Sequence, residues 1–265
     1  MNDTDIRYLD SHCHLPEQPL TPGISGIMEG KGGVTRMLCN ATREEDWQPV
    51  IKLAARGKGG IPFLGIHPWF ADSAGAGWEE RLMALLERIP AGIGETGLDK
   101  SCRADFAGQQ RIFQTQLRMA AELRRPLVIH CVKAWGRLLE MLEQSAAPLP
   151  PVMIHSFGGS AETLQRLLRL GCFISFSARV TTDSRLHPCL LQTPLARLLL
   201  ETDAPAKPGR QLSPGSHDQK IIYDEPAAIA KLYELAATMR GMALDEFRQE
   251  IWKNGEIFTD TIVPR

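Results

Sequence analysis

Seven histidines are present, and five of them stand beside short apolar runs of the kind that form buried strands. One residue, Cys13, separates His12 from His14. In a strand both imidazoles therefore point to the same side, while Cys13 points away. His130 and His155 each end a segment in which proline is followed by apolar residues and then histidine. One such histidine is commonly a buried, hydrogen-bonded side chain. The occurrence of two such segments favours the interpretation that His130 and His155 are metal ligands.

Acidic residues also stand beside the apolar runs that predict strands. Glycines on both sides of Glu95 allow backbone or a ligand to approach closely, and a carboxylate at this point can bridge two cations. The alternative is a glutamate in an ion pair at the mouth of a barrel. Asp203 follows an apolar run and is a natural metal ligand and general base for a bound water. Glu201, two residues earlier, is expected to hydrogen-bond a ligand and hold it in place.

These residue types together predict a centre with two metal ions. One catalytic metal takes three or four protein ligands, and six candidates exceed that number. Two divalent ions about 3.5–4 Å apart that share a carboxylate use all six, and they lower the pKa of a bridging water toward about 7. Imidazole and carboxylate suit zinc, magnesium or manganese, and the sequence leaves the identity open. The candidate ligands are His12, His14, Glu95, His130, His155 and Asp203.

The elements that must position these residues alternate between short apolar runs and helical patterns. Eight strands with helix-sized segments between them predict a parallel sheet, and eight strands close a (β/α)₈ barrel, the TIM barrel. In such a barrel the carboxyl ends of the strands meet at one catalytic face. An open, doubly wound sheet is the alternative, but it usually has a glycine-rich turn after its first strand. The predicted strands are 7–10, 34–40, 62–66, 92–95, 127–130, 152–155, 172–176 and 197–201.

Length, charge and cysteine usage agree with this architecture. Barrels of roughly 250 residues are single units, and no linker divides this chain, so we expect one domain over residues 1–265. The 30 basic and 31 acidic residues argue against binding to nucleic acid by bulk charge. The six cysteines form no Cys-x-x-Cys pair, which predicts free thiols. Without a long apolar run or a visible signal peptide, we expect a cytoplasmic protein.

The motifs around these residues resemble those of the TatD-related, metal-dependent deoxyribonucleases, and they occur in that family's order from residue 8 to about residue 258. The resemblance implies a TIM barrel of the amidohydrolase type that hydrolyses phosphodiester bonds with divalent metal. The matching segments are His12-x-His14, Gly65-Ile66-His67-Pro68, Gly94-Glu95-Thr96-Gly97-Leu98-Asp99, Val128-Ile129-His130-Cys131, His155-Ser156-Phe157-Gly158-Gly159-Ser160, Glu201-Thr202-Asp203-Ala204-Pro205 and Glu225-Pro226-Ala227.

The resemblance also implies a division of the ligands between two ions. By position, the first ion would be held by His12, His14, Glu95 and Asp203, and the second by Glu95, His130 and His155. Glu95 would therefore be shared. His67 would face the substrate phosphate or an extra ion.

Departures from the family pattern concern the substrate. The family often has an arginine and an acid soon after the fifth-strand histidine, where this chain has Val132 and Lys133. It usually has basic residues and asparagine before the Glu-Pro pair, where residues 220–224 read Lys-Ile-Ile-Tyr-Asp. Lys133 is a candidate contact to a substrate phosphate, and Trp69 is a candidate to stack on a base or sugar.

The expected function is a two-metal phosphodiesterase that acts on DNA, with Asp203 accepting a proton from the attacking water and Glu95 bridging the metals. We expect DNA with single-stranded or frayed ends as partner, no membrane, and a monomer. The alternative is a hydrolase of the same superfamily that acts on a carbon centre, such as a D-aminoacyl-tRNA ester, a lactone or an amide. A barrel that only binds a partner is disfavoured by the complete ligand set.

Overall fold

The computed structural model describes residues 7–14, 34–56, 59–145, 148–204 and 228–262. Its strands form one sheet in which each strand runs parallel to its neighbour and the spatial order follows the chain order. The strands are β1 (Tyr8–Cys13), β2 (Val34–Asn40), β3 (Gly60–Leu64), β4 (Gly92–Asp99), β5 (Leu127–Val132), β6 (Val152–Ile154), β7 (Phe173–Phe176) and β8 (Leu198–Leu200).

Helices follow most of the strands and cover the outside of the sheet. They are α1 (Glu44–Arg56), α2 (Trp78–Arg88), α3 (Phe106–Leu123), α4 (Trp135–Glu143), α5 (Ala161–Arg169), α6 (Arg179–Thr182), α7 (His187–Gln192), α8 (Ile229–Met239) and α9 (Leu244–Thr259). Short 3₁₀ helices lie at Pro68–Ser73, Ser184–Leu186 and Leu195–Arg197. The motif at 225–227 lies outside the described residues.

The ends of β1 and β8 meet and bring the sheet round on itself. The Ser11 hydroxyl donates to the Leu200 carbonyl at 2.9 Å. Just beyond β8, the amide of Asp203 donates to the carbonyl of His12 at 3.0 Å, and the amide of His14 donates to the carbonyl of Ala204 at 2.6 Å. These contacts confirm the predicted TIM barrel, since eight parallel strands in chain order with helices outside define that fold.

Burial on both faces explains why the strands have the sequences they do. A parallel sheet covered by helices is apolar on its outer face and filled by side chains inside, so its strands read as near-continuous apolar runs. Every residue of β5 from Leu127 to Cys131 is buried, and Leu198, Leu199 and Leu200 of β8 are fully buried. Polar side chains are buried mainly where the strands reach the carboxyl end of the barrel.

Three strands run further than the sequence indicates. The first was predicted to end at residue 10, but β1 continues to Cys13. The predictions that Glu95 ends the fourth strand and His130 ends the fifth were wrong, because β4 continues to Asp99 and β5 to Val132. Pairing resumes at Thr96 after a register shift that follows Ile93, and it continues to the ends of both strands. The glycines on either side of Glu95 have positive φ angles, and the sequence does not show that the strand continues past this irregularity.

Between β7 and β8 the chain forms α6, a 3₁₀ turn and α7 instead of one long helix, because Asp183 ends α6 and caps the turn that follows. All six cysteines are free thiols, as predicted. Among the described residues, none of the helices is long and apolar enough to span a membrane.

Packing around Gly92 makes a test of the barrel core. A Cβ at Gly92 would lie 2.2 Å from Cε1 of Phe63, whose ring is fully buried. Gly92→Ala is expected to lower the free energy of unfolding by about 1–3 kcal/mol, because the ring must leave its place in a packed core. The control is Gly136→Ala in α4, where no atom lies within 4 Å of the new Cβ and helix propensity favours alanine. Urea denaturation of both variants measures the difference, and equal stabilities would contradict this account.

Candidate metal centre

A single buried carboxylate lies at the middle of the predicted site. Glu95 is 1% exposed and stands in β4, and its two oxygens face different groups of side chains. Oε2 lies 3.0 Å from Nε2 of His14 and 3.4 Å from Nε2 of His12. Oε1 lies 2.9 Å from Nδ1 of His130 and 3.0 Å from Nε2 of His155. The carboxylate thus stands between two clusters of nitrogen atoms.

The first cluster comes from the place where β1 meets the end of β8. Nε2 of His12 and Nε2 of His14 are 3.0 Å apart, as expected for residues that share one side of a strand, while Cys13 points its thiol to the carbonyl of Leu38. Oδ1 of Asp203 lies 3.7 Å from Nε2 of His12 and 3.6 Å from Nε2 of His14.

The second cluster comes from adjacent strands on the opposite side of Glu95. Nδ1 of His130 lies 3.3 Å from Nε2 of His155. His67, just before the 3₁₀ helix Pro68–Ser73, is fully buried and places Nε2 3.2 Å from Oε1 of Glu95. The rings of His12 and His155 stack at 4.0 Å between centroids, so the two clusters adjoin.

Hydrogen bonds on the far side of three imidazoles determine which nitrogen carries the proton. Nδ1 of His14 lies 3.0 Å from the carbonyl of Asn40, which can only accept. Nε2 of His130 lies 3.2 Å from the carboxylate of Asp99, and Nδ1 of His155 lies 3.0 Å from that of Glu201. In each neutral ring the proton is therefore on the outer nitrogen, and the inner nitrogen presents a lone pair to the centre.

His67 has the opposite arrangement. Its Nδ1 accepts a hydrogen bond from the backbone amide of Trp69 at 3.1 Å, so the proton of the neutral ring is on Nε2. His67 therefore presents an N–H group to the centre, where His14, His130 and His155 present lone pairs.

The charges of the cluster keep its carboxylates ionised. Burial raises the pKa of Glu95, but the neighbouring His67, His155 and His12 outweigh burial and bring this pKa well below its usual range. The pKa of Asp203 is lowered in the same way, mainly by His155 and His12 acting against burial. Burial lowers the pKa of His155, but Glu95 and Glu201 raise it well above its usual value.

This donor set fits divalent metal ions. Nδ1 of His130, Nε2 of His155 and Oε1 of Glu95 converge within 3.3 Å of one another. When both rings are neutral, these three atoms present lone pairs to one point, where a cation can accept them. Oδ1 of Asp203 is buried and accepts no hydrogen bond from the described residues. Among the residues that the structure describes, three groups are close enough to hold an ion: His12, His14 and Glu95; His67, Glu95 and His130; and His12, His155 and Glu201.

The structure brings together all six residues proposed as ligands, together with His67 and Glu201. Lys133 is exposed directly after β5 and does not join the cluster. Trp69 is 42% exposed and touches the cluster through His67 and Asp99.

Asp99 and Asp10 are two supporting carboxylates that the sequence analysis missed. Asp99 lies four residues after Glu95 in β4, and strand alternation could not identify it because the predicted strand ended at Glu95. Asp10 stands two residues before His12 in β1 and is fully buried.

Asp10 fastens the turn that carries Asp203. Its Oδ1 accepts from the amide of Thr202 at 3.0 Å, and its Oδ2 accepts from the hydroxyl of Thr202 at 2.5 Å. Burial raises the pKa of Asp10 to about 7, although the hydrogen bonds from Thr202 act in the opposite direction. Asp203 has a φ of 58°, an uncommon left-handed conformation for a residue with a side chain. The hydrogen bonds between Asp10 and Thr202, the residue before Asp203, help to maintain this conformation.

Comparison with known proteins identifies the same family that the sequence motifs resemble. Residues 9–259 match the family model described as TatD related DNase. The Escherichia coli K12 protein named uncharacterized metal-dependent hydrolase YjjV is 29% identical over 258 residues, which cover 94% of this chain and 96% of that protein. The Citrobacter koseri protein named 3'-5' ssDNA/RNA exonuclease TatD is 34% identical over 214 residues, which cover 79% of this chain and 81% of that protein.

Solved structures show the same fold. The crystal structure of Escherichia coli YjjV superposes with a TM-score of 0.80 at 28% identity and covers 96% of this chain and 98% of that one. A phosphotriesterase from Mycobacterium tuberculosis shares the fold with a TM-score of 0.69 at 12% identity, covering 96% of this chain and 93% of that one.

Removal of the Asp10 side chain tests its role as a fastener. Asp10→Ala leaves the amide and hydroxyl of Thr202 without their buried acceptor, and we expect the free energy of unfolding to fall by about 1–3 kcal/mol. Thr202→Val keeps the amide bond to Asp10 but removes the hydroxyl's bond to Asp10 and the bond that the hydroxyl accepts from the amide of Ala204, and it is expected to cost about 1–2 kcal/mol. Urea denaturation measures both effects, and titration with Mn²⁺ shows whether cation affinity falls in Asp10→Ala. Unchanged stability and cation affinity in Asp10→Ala would contradict the role.

Proposed function

The chain belongs to the TatD-related DNase family of metal-dependent hydrolases, and from this premise we propose that it hydrolyses phosphodiester bonds of single-stranded nucleic acid with two divalent metal ions. The observation that carries the proposal is the position of Glu95, whose two oxygens face two separate groups of metal-binding side chains. A carboxylate shared in this way is typical of hydrolases with two metals.

The donor set divides into two ligand groups. His12, His14, Oε2 of Glu95 and Asp203 would hold one ion, and Oε1 of Glu95, His130 and His155 would hold the other. Zinc, magnesium and manganese all suit this mixture of imidazole and carboxylate. When bound, such ions lower the pKa of a coordinated water and neutralise charge on the phosphoryl oxygens.

The chain's own residues then supply proton transfer and orientation. Asp203 is ionised and partly exposed, so its carboxylate can accept the proton of the attacking water. Glu201 and Asp99 hold the rings of His155 and His130 by their outer nitrogens and orient both inner nitrogens toward the centre. The Nε2–H of His67 points into the centre, where it can donate to a non-bridging oxygen of the substrate phosphate.

Single-stranded nucleic acid is the substrate that the relatives favour. Several related proteins are named 3'-5' ssDNA/RNA exonucleases, including one that is 34% identical to this chain. The near-neutral charge of the chain agrees with a substrate that is held at a few phosphates near an end rather than along a duplex. Within the substrate class we propose DNA with single-stranded or frayed ends.

A panel of substrates tests this proposal. The purified protein is stripped of metal, reconstituted with Zn²⁺, Mg²⁺ or Mn²⁺, and assayed on single-stranded DNA, single-stranded RNA, a small phosphodiester, a D-aminoacyl-tRNA and a lactone. We expect cleavage of DNA and of the small phosphodiester, and loss of both when metal is withheld. Turnover of only the aminoacyl ester or the lactone would overturn the proposal in favour of chemistry at a carbon centre.

Glu95→Gln tests the shared carboxylate. The amide keeps the shape of the side chain but cannot face two cations with full charge, so we expect the rate to fall by about 10²–10³ or more while the fold is retained. Calorimetric titration with Mn²⁺ should show fewer than two ions per chain. Glu87→Gln, an exposed exchange of the same kind in α2, is the control. Near-normal turnover with both ions bound would remove Glu95 from the mechanism.

Salt dependence tests how the substrate is held. In Asp203→Asn, affinity for a labelled single-stranded oligonucleotide is measured at several salt concentrations. The slope reports the number of neutralised phosphates, at about 0.7 per contact for single strands, and we expect about three contacts or fewer. Lys133→Ala should reduce the slope by about one contact. A steep slope with tight binding to long duplex would show a larger basic surface.

A further inference from the structure

Trp69 combines exposure with rigid attachment to the metal centre. It lies in the 3₁₀ helix that follows β3 and is 42% exposed, whereas His67 two residues earlier is fully buried. Its backbone amide donates to Nδ1 of His67, and its ring meets the His67 ring edge to face at 5.0 Å between centroids. The indole N–H donates to Oδ2 of Asp99 at 2.6 Å. Backbone, ring and indole nitrogen are all held, so the exposed part of the indole has a defined orientation.

Asp99 joins this indole to the second ligand group. The oxygen that accepts from Trp69 is also 3.2 Å from Nε2 of His130, whose other nitrogen faces Glu95. The second oxygen of Asp99 accepts from the amide of Ser101 at 2.7 Å and from its hydroxyl at 2.5 Å. All four hydrogen bonds need an acceptor on Asp99, and they hold its carboxylate in one orientation.

We infer that Asp99 is a positioning residue that holds Trp69 as a stacking platform for a nucleobase, at a fixed distance from His130. This inference rests on the proposed function, and it identifies the base beside the scissile phosphate as a part of the substrate that the protein binds. Asp99 acts through its two neighbours: it orients the ring of His130 toward the centre and the indole toward the substrate.

The chemistry of the surface selects a base rather than another group. An indole face at the edge of a metal centre offers a flat apolar surface, and every nucleobase has a matching π face. Stacking needs an unpaired base, because in a duplex the face is already covered by its neighbours. A platform of this kind therefore favours single strands and is tolerant of sequence. The alternative is that Trp69 only packs against His67 and leaves substrate binding unaffected.

Substrates with and without bases separate these alternatives. Trp69→Leu and Trp69→Phe are compared with wild type on a single-stranded oligonucleotide, on the same oligonucleotide with abasic residues at its terminal positions, and on a small phosphodiester. We expect Trp69→Leu to raise KM about 5- to 150-fold on the base-bearing strand, the range of stacking on one base, with little change on the other two substrates. Trp69→Phe should recover part of the loss. Leu191→Ala, an apolar residue in α7 that is 48% exposed, is the control.

Asp99→Asn tests whether Asp99 connects Trp69 to His130. An amide has one oxygen, so either Ser101 or the pair of Trp69 and His130 must face an N–H group. We expect a rise in KM on the base-bearing strand together with about 10–100-fold weaker binding of Mn²⁺. At saturating Mn²⁺, Asp99→Asn should raise KM no further in the Trp69→Leu background, because the platform is already lost. Asp245→Asn on the surface of α9 is the control.

Direct binding keeps this inference separate from the proposed function. Oligonucleotide affinity is measured in the Asp203→Asn background, so stacking is tested even if hydrolysis is absent. Equal affinity for base-bearing and abasic strands in this background, or an equal loss on all three substrates in Trp69→Leu, would overturn the inference. Additive effects of Asp99→Asn and Trp69→Leu on KM would remove Asp99 from it. Absence of cleavage by the wild type with base-dependent binding intact would overturn the proposed function alone.

Discussion

An ionised carboxylate buried inside the barrel is the constraint on which the site depends. A buried charge is costly unless it is paired, and Glu95 is almost completely shielded from solvent. The surrounding histidines provide that pairing from several strands, and each must reach the same point within a few ångströms. The carboxyl end of a closed parallel barrel brings the ends of non-adjacent strands within such a distance. The fold and the position of this one residue are therefore linked.

A second layer of hydrogen bonds determines what those histidines offer. The carbonyl of Asn40 and the carboxylates of Asp99 and Glu201 accept from the outer nitrogens of His14, His130 and His155. In the neutral rings the lone pairs are therefore on the nitrogens that face the centre. At His67 the outer nitrogen instead accepts a hydrogen bond from the backbone amide of Trp69, so the nitrogen that faces the centre carries the N–H group. Residues of one type thus take two chemical roles, and the difference depends on the partner behind each ring.

The sequence predicted the barrel and the convergence of the ligands because both depend on regular patterns. Apolar runs identify strands, and polar residues at their carboxyl ends meet at one face. The extent of β4 was not predictable, since the glycines beside Glu95 interrupt the pattern that defines a strand. Asp10 was not predicted as a site residue, because its partner Thr202 is 192 residues away along the chain. The tautomer of His67 depends on one local hydrogen bond that no spacing rule describes.

The seam between β1 and β8 has a consequence for biosynthesis. His12 and His14 are made early, but Asp203 joins them only after β8 has been made, and the hydrogen bonds between these segments form when the ring of strands is complete. Chains generally emerge and fold from the amino terminus. A nascent chain that ends before β8 contains His130, His155 and Glu95, yet it lacks Asp203. The complete set of candidate ligands is therefore assembled only when the barrel is finished.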